Sequence, residues 1–434
     1  MLKMKQFTNV LELIEWIQSQ RRFDEKKSLD KIKYCCELFD NPQDKFKSIH
    51  VSGTNGKGSV VSYLRSILMK ANLKVATFTS PYITVFNERI SINGNPISDD
   101  DLLKTANLII SKYPLILDAG YSIPSFFEFI TILAFIYFGQ QDIDIAVIEV
   151  GIGGLLDSTN VISPLISIIT NVSYDHMNVL GNTLEEILIN KLGIVKENTP
   201  LVTGVKDNNL RKIIVDYCHN KNSNCFFTKD YKLINSKIGQ MTFNYQEYDK
   251  LSISLNGFHQ IENASCAIEA IDYLIEAKPD IFNKTKLSKS ELVKKGLKDA
   301  FWPGRFEIIS SNPLIIIDGA HNEDGIKRIV EYVNTLNYKF KRCTFACSDD
   351  KEKEEMLKLL ANSFDEIIIT EYTYKRHSPS STVFNLIEHP NKKLITDINE
   401  AISYTVNNPS EFNLFIGSLY LVSEIRPILK RLIG

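Results

Sequence analysis

The sequence lacks most features that would mark a special compartment or a large polymeric partner. Its seven cysteines are odd in number and irregularly spaced: Cys35 and Cys36 are adjacent, Cys343 and Cys347 stand four apart, and no CxxC pair occurs. That argues against a disulfide framework or a zinc site, so free thiols in a reducing compartment are expected. No apolar run reaches the ~18 residues of a membrane helix. The greasiest stretch, IPSFFEFITILAFIYFG, contains Pro124 and Glu128 and reads as a buried helix. The opening MLKMKQFTNV lacks the apolar centre of a signal peptide, which makes the cytoplasm the expected location. Charge of one sign is missing too. Fifty Lys and Arg against 52 Asp and Glu give a net −2, which offers no footprint for nucleic acid or an anionic membrane. A composition of 44% hydrophobic and 24% charged residues leaves little room for a long disordered segment.

What is present begins with length. A chain of 434 residues exceeds one ordinary core, and two domains are expected, 1–298 and 299–434, with the break near Pro303-Gly304 of FWPGRFEI. The most informative stretch is KSIHVSGTNGKGS at 47–59. Ile49 and Val51 end a buried strand, Gly53, Gly56 and Gly58 crowd a short loop around Lys57, and VVSYLRSILMK continues as a helix. A strand, a glycine-rich turn and a helix N-terminus converge backbone N–H groups on an anion. Lys57 supplies a charge for phosphates and Ser59 a hydroxyl for Mg²⁺. The usual P-loop puts Ser or Thr directly after the Lys; here Gly58 intervenes. The competing reading, a turn that only joins strand to helix, leaves the central lysine unexplained.

Other candidates also sit at strand ends, where open α/β sheets bind ligands. Helices are read at 7–22 and 28–39, then a strand at 73–81 that ends near Thr79 and Ser80. A hairpin follows around Asn93-Gly94, and helices at 98–112 and 124–139. Residues 145–150 form a buried strand that is apolar except for Glu149. A carboxylate there is costly unless paired or metal-bound, and Mg²⁺ would relieve the cost. Gly151, Gly153 and Gly154 let backbone approach a ligand, with Asp157 and Ser158 just beyond. The strand in LISIITNVSYDHMNVLG ends before Asp175 and His176. Thr183 and Glu186 make a capping box for the next helix. Lys191 lies in that helix, and by residue type alone it reads as a solvated helix lysine. Residues 200–254 read as strands and an irregular polar stretch, 255–275 as a turn and a helix, and 276–300 as charged and lysine-rich. The second domain alternates strand and helix, with Asp318 and His321 after the strand 314–317, and fits a smaller doubly wound fold.

Taken together, GTNGKGS, TSPYITVFNERI, EVGIGGLLDSTNV, the Asp175-His176 loop, KLGIVK, GFHQIENA, PGRFE, DGAHN and GSLYLVSEIR resemble folylpolyglutamate synthase/dihydrofolate synthase, within the Mur ligase family. The resemblance runs from about residue 30 to 430 and rests on the shared order of the motifs. It implies a P-loop-containing Mur-ligase-like α/β domain followed by a smaller Rossmann-like domain. It implies ATP-dependent ligation of L-glutamate to a folate through an acyl phosphate, with two Mg²⁺ ions. Asn55, Gly56, Lys57, Gly58 and Ser59 would hold ATP phosphates, and Asn263, Arg305 and Asp318 the rest of ATP. Ser59, Ser80, Glu149 and His176 would hold metal. Ser125, Phe126, Phe127 and Glu128, with Leu156, Asp157 and Ser158, would line the folate pocket. Lys57, Lys191 and His321 would be catalytic, with His321 near the incoming amino acid. Lys191 would be carbamylated by CO₂, which turns a cation into a carboxylate able to approach Mg²⁺. A monovalent cation and a monomeric state come with the same resemblance. Two departures touch the folate side: Leu155 stands where many members have Arg, and Tyr82 where many have His. They leave open whether dihydropteroate is accepted besides tetrahydrofolate. The rival readings are another Mur-type amide ligase, less favoured because no nucleotide-sugar domain is expected before the phosphate loop, and a P-loop ATPase switch.

Overall fold

The computed structural model describes residues 6–21, 28–374 and 376–433. Residues 1–5, which open the stretch read for a signal peptide, and Arg22, the end of the first expected helix, lie outside the described residues. The chain divides into two compact units. One comprises 1–82, 86–230 and 262–300; the other comprises 83–85, 231–261 and 301–434.

The first unit is built on eight strands: β1 (Ser48–Ser52), β2 (Val75–Phe78), β3 (Ile90–Ile92), β4 (Asn95–Pro96), β5 (Ile145–Glu149), β6 (Ile166–Ile169), β7 (Leu201–Thr203) and β8 (Cys225–Phe227). They lie in the order β4-β3-β2-β5-β1-β6-β7-β8. Six are parallel, and β3 and β4 add an antiparallel edge. Asn93 (φ 52°) and Gly94 (φ 79°) make the tight turn between β3 and β4, as the Asn-Gly pair requires. From β1 the chain crosses to β2 on one side; from β5 it crosses back to β6 on the other. This reversal opens a crevice at the carboxyl ends of β1, β5 and β6.

The central strands are buried on both faces, which explains their near-continuous apolar runs. The helix Phe126–Gly139 covers one face with a buried series from Phe129 to Phe138. On the other side of the crevice, Leu188, Leu192, Ile194 and Ile214 pack with Val150 and Ile169. Asn9 caps the first helix (Val10–Ser19) through Leu11 and Glu12 N–H groups. The capping box of Thr183 and Glu186 opens Leu184–Leu192 as read. The stretch read as irregular after residue 200 instead contains the helix Asn208–Asn220, capped by Asp207, and the lysine-rich 276–300 contains Lys289–Asp299, capped by Ser288. Both helices are amphipathic, burying Leu210, Ile214 and Cys218 in the first and Leu292, Val293 and Leu297 in the second, so packing of that face stabilises them.

The second unit has an antiparallel three-stranded sheet, β9 (Tyr231–Lys237), β10 (Gln240–Tyr245) and β11 (Tyr248–Ile253). A six-stranded sheet follows: β12 (Glu307–Ser311), β13 (Leu314–Ile317), β14 (Lys341–Phe345), β15 (Glu366–Ile369), β16 (Lys392–Leu394) and β17 (Phe412–Ile416). Its order is β12-β13-β17-β14-β15-β16, parallel except for β12. The last helix, Leu419–Ile433, packs Leu421, Val422, Ile425 and Leu429 with Ile315, Ile317 and Phe415.

Candidate active site

The phosphate loop is pinned from the end of the neighbouring strand β6. Thr54 N–H donates to Asn171 O (3.1 Å), Asn55 N–H to Asn171 Oδ1 (2.9 Å), and Thr170 Oγ1 to Asn55 O (2.5 Å). Gly53 (φ 148°) has no room for a side chain, since a Cβ would lie 1.8 Å from Thr170 Oγ1. Gly56 (φ 83°) sits at the N-cap of the helix Lys57–Lys70, and a Cβ there would lie 2.2 Å from Asn263 Oδ1. Asn263, expected on ATP, is therefore packed against the loop itself. Lys57 folds back over the loop, its Nζ donating to Gly53 O and Thr54 O at 3.1 Å each. Gly58 and Ser59 are buried in the first helical turn.

Ser59 tests the fit to a hard cation. Its Oγ is buried and finds no hydrogen-bond partner among the described residues, an arrangement that costs free energy unless a ligand completes it. Glu149, at the end of β5, is 4% exposed; its Oε2 accepts the Ser80 N–H at 3.2 Å. Hydroxyl and carboxylate oxygens suit Mg²⁺. His176 begins a short helical turn in the left-handed conformation (φ 52°), with its N–H on Asp175 Oδ1 (2.8 Å) and its ring half exposed. No group of three His, Cys, Asp or Glu side chains able to hold a metal occurs among the described residues. An ion here would draw its remaining ligands from phosphate oxygens and water, as Mg²⁺ commonly does.

Lys191 departs most from its reading by residue type. It is 2% exposed rather than solvated. Burial and the Lys57 ammonium pull its pKa from 10.5 down to about 7, while the Asp175 carboxylate pulls the other way. Lys57 and Asp175 are thus both within electrostatic range of Lys191. The sequence marks Asp175 only as part of its loop, and nothing short-range pairs it with Lys191.

The expected folate segments also converge. A Cβ on Gly151 would lie 2.5 Å from the Phe127 ring, which packs 5.8 Å from Phe78. Arg89 is buried under the rings of Tyr82 (5.1 Å) and Phe126 (5.4 Å). Ser125 and Glu128 are committed to structure: they form a capping box, and Glu128 pairs with Lys31 at 2.8 Å. Leu155 and Leu156 are exposed. Beside them opens a cleft of about 640 Å³ whose wall carries Lys33, Lys196 and Lys221 together with Asp30 and Glu197. Lys196 is held down to about 8 by burial and by the Lys33 and Lys221 charges.

In the second unit, Asp318 follows β13. Its carboxylate accepts the Phe306 and Ala320 N–H groups at 2.7 Å each; burial raises its pKa, against the Arg305 charge. A Cβ on Gly319 would lie 2.5 Å from Arg305 Nη1. His321 Nδ1 is 2.8 Å from Gly319 O, which orients the ring. Arg305, Asp318 and His321 therefore share one strand-end loop region.

The chain matches the Mur ligase middle domain over residues 51–271 and the Mur ligase glutamate ligase domain over 304–418. It is 34% identical to the dihydrofolate synthase/folylpolyglutamate synthase of Bacillus subtilis, over 98% of this chain and all of the relative. The folylpolyglutamate synthase structure from Thermotoga maritima superposes with a TM-score of 0.82 at 32% identity, covering 97% of this chain and 96% of that one. A complex of FPGS with AMPPCP and folate does so with a TM-score of 0.82 at 30% identity, covering 98% and 100%. No helix among the described residues is long and apolar enough to cross a membrane. This chain belongs to the folylpolyglutamate synthase/dihydrofolate synthase branch of the Mur ligase family.

Proposed function

We infer that this protein joins L-glutamate to tetrahydrofolate and its polyglutamates at the expense of ATP. The observation that carries the reading is the phosphate loop of a folylpolyglutamate synthase-like chain with buried Lys191 in electrostatic range of Lys57. A phosphate-binding lysine needs no second buried amine beside it. An amine poised near neutrality is, however, a nucleophile for CO₂, and the carbamate would replace a repulsive cation with an anion. We assign Lys191 that role.

In the reaction, an oxygen of the folate carboxylate attacks the γ-phosphorus of ATP; the P–O bond to ADP breaks and an acyl phosphate forms. The α-amino group of L-glutamate then attacks the acyl carbon. The C–O bond to phosphate breaks, and the amine loses a proton. Without phosphorylation the leaving group would be oxide, so the carboxylate alone is unreactive. Mg²⁺, when bound through Ser59, Ser80, Glu149 and His176, would neutralise phosphate charge. The loop N–H groups of 55–59 and Lys57 hold the phosphates and stabilise charge in the transition state. Arg305, Asp318 and Asn263 are assigned to the nucleoside part of ATP. His321 is assigned to the incoming amino acid. Phe126, Phe127 and the loop bearing Leu156, Asp157 and Ser158 shape the acceptor site, and the lysines of the adjoining cleft suit an acidic acceptor. The protein acts as a cytoplasmic monomer in this reading.

Hydroxylamine offered in place of glutamate tests the intermediate. A hydroxamate that requires both ATP and folate is expected; none at all would contradict an acyl phosphate.

A further inference from the structure

Asp157 lies in the loop assigned to the acceptor, yet its carboxylate is engaged by its own chain. Oδ1 accepts the Thr159 N–H (3.0 Å) and the Thr159 hydroxyl (2.5 Å), Oδ2 accepts the Ile152 N–H (3.0 Å), and the Gly151 N–H also donates to it. Burial raises the Asp157 pKa against these bonds; with Asp157 ionised, the one Thr159 hydroxyl proton has to point at it. His50 Nε2 lies 2.8 Å from the same hydroxyl oxygen, so the imidazole must be the donor there. Its Nδ1 is then unprotonated, and it is buried with no partner among the described residues. Burial keeps the ring neutral, with the pKa down to about 3. The result is a one-way relay from His50 N–H to Thr159 O–H to Asp157 carboxylate, each bond polarising the next.

The two ends of the relay lie in different functional segments. His50 is on central strand β1, three residues before Gly53 of the phosphate loop. Asp157 closes the turn from Gly151 to Ser158 that carries exposed Leu155 and Leu156. We propose that His50 and Thr159 are positioning residues: through Asp157 they fix the shape of the acceptor loop against the strand that ends in the phosphate loop. Asp157 then acts by ordering Gly151 and Ile152, not by reaching the acceptor itself. An apolar core at this place would bury the same area without a partnerless imidazole nitrogen. The polar chain therefore specifies one loop conformation at some cost in stability. The inference rests on the glutamate-ligase reading above, because it assigns the loop to the acceptor.

The test compares wild type, Thr159→Val, Thr159→Ser and His50→Leu. Hydrogen exchange at Gly151 and Ile152 is read alongside KM for tetrahydrofolate and for ATP. Thr159→Val should speed exchange at these two amides and raise KM for tetrahydrofolate about tenfold, leaving KM for ATP within about twofold, the effect of one buried hydrogen bond. His50→Leu should move the same readouts in the same direction, and Thr159→Ser should restore both. Should Thr159→Val not fold, Thr159→Ala carries the same expectation. Unchanged exchange and unchanged folate KM in a folded variant would overturn the proposal. So would equal rises in both KM values with a lowered Tm, the sign of general destabilisation. If wild type shows no folate-dependent ligation, the functional reading fails, and exchange at the two amides still decides whether the relay orders the loop.

Discussion

The phosphate loop and the end of the Leu184–Leu192 helix lie in the same unit and supply the two interacting lysines of the site, but they reveal themselves differently. At 53–59 the chemistry is short-range. Gly53 and Gly56 take positive φ, and Lys57 sits at a helix N-terminus. All of this is written within seven consecutive residues. Lys191 is ordinary in its neighbourhood, a lysine in the last turn of an amphipathic helix. Its character comes from burial and from Lys57 and Asp175, far away in sequence. Local geometry leaves a mark in local sequence, whereas a perturbed amine is made by the fold.

The largest test of this contrast removes each lysine. Lys57→Ala should cost on the order of 10²–10³-fold in kcat, as removal of one transition-state charge contact does; a loss under about fivefold would leave the loop a mere connector. Lys191→Met should lower kcat by about a hundredfold. Wild type given ¹³C-bicarbonate should show a carbamate carbonyl signal that Lys191→Met lacks. Full activity without that signal would leave the burial of Lys191 without a catalytic meaning.

The same lysine sets a pH dependence. Its folded pKa, about 7, lies below the unfolded 10.5. Between these values the unfolded chain binds more protons, so stability rises with pH across this window. Thermal unfolding without CO₂ should therefore show wild type gaining on Lys191→Met as pH rises from about 7 to about 10. A constant difference would contradict the buried amine.

Gly56→Ala probes the loop more gently. The left-handed backbone and the approach of Asn263 should together cost about 1–2 kcal/mol, seen as weaker ATP binding by calorimetry. ATP affinity equal to wild type would mean that the close packing of Asn263 does not matter. In the second unit, Glu307 is held below its usual range by Arg426, the Gly304 N–H and Lys430, although burial opposes them. Its contribution is present above the unfolded pKa and fades as pH falls through the lower folded value. Glu307→Gln should lower Tm by a few degrees near neutrality, with the gap closing in acid. The smallest effect is expected from Leu155→Arg on the exposed loop: a few-fold change in the ratio of dihydropteroate to tetrahydrofolate turnover, with ATP parameters unchanged.

Much of the fold was legible because periodicity and caps were local. Thr183 and the Asn93-Gly94 turn act where they were read. The helices Asn208–Asn220 and Lys289–Asp299 were missed because polar, lysine-rich segments mask an apolar stripe that only packing makes decisive. Of the candidate site, the glycines, Lys57, Ser59, Glu149 and Asp318 could be placed by strand ends alone. The commitment of Glu128 to Lys31, of Asp157 to Thr159 and of Asn263 to Gly56 could not be read, since each pairing joins segments through tertiary contacts or through a turn whose shape the sequence does not state.

The most direct measurement is ATP-dependent incorporation of labelled L-glutamate, run in parallel with tetrahydrofolate and with dihydropteroate as acceptor. Incorporation with tetrahydrofolate that requires ATP and Mg²⁺ and is lost in Lys57→Ala is expected; product from dihydropteroate as well would add the dihydrofolate synthase reaction. ATP turnover that ignores both acceptors and glutamate would contradict the account and point to an ATPase switch instead.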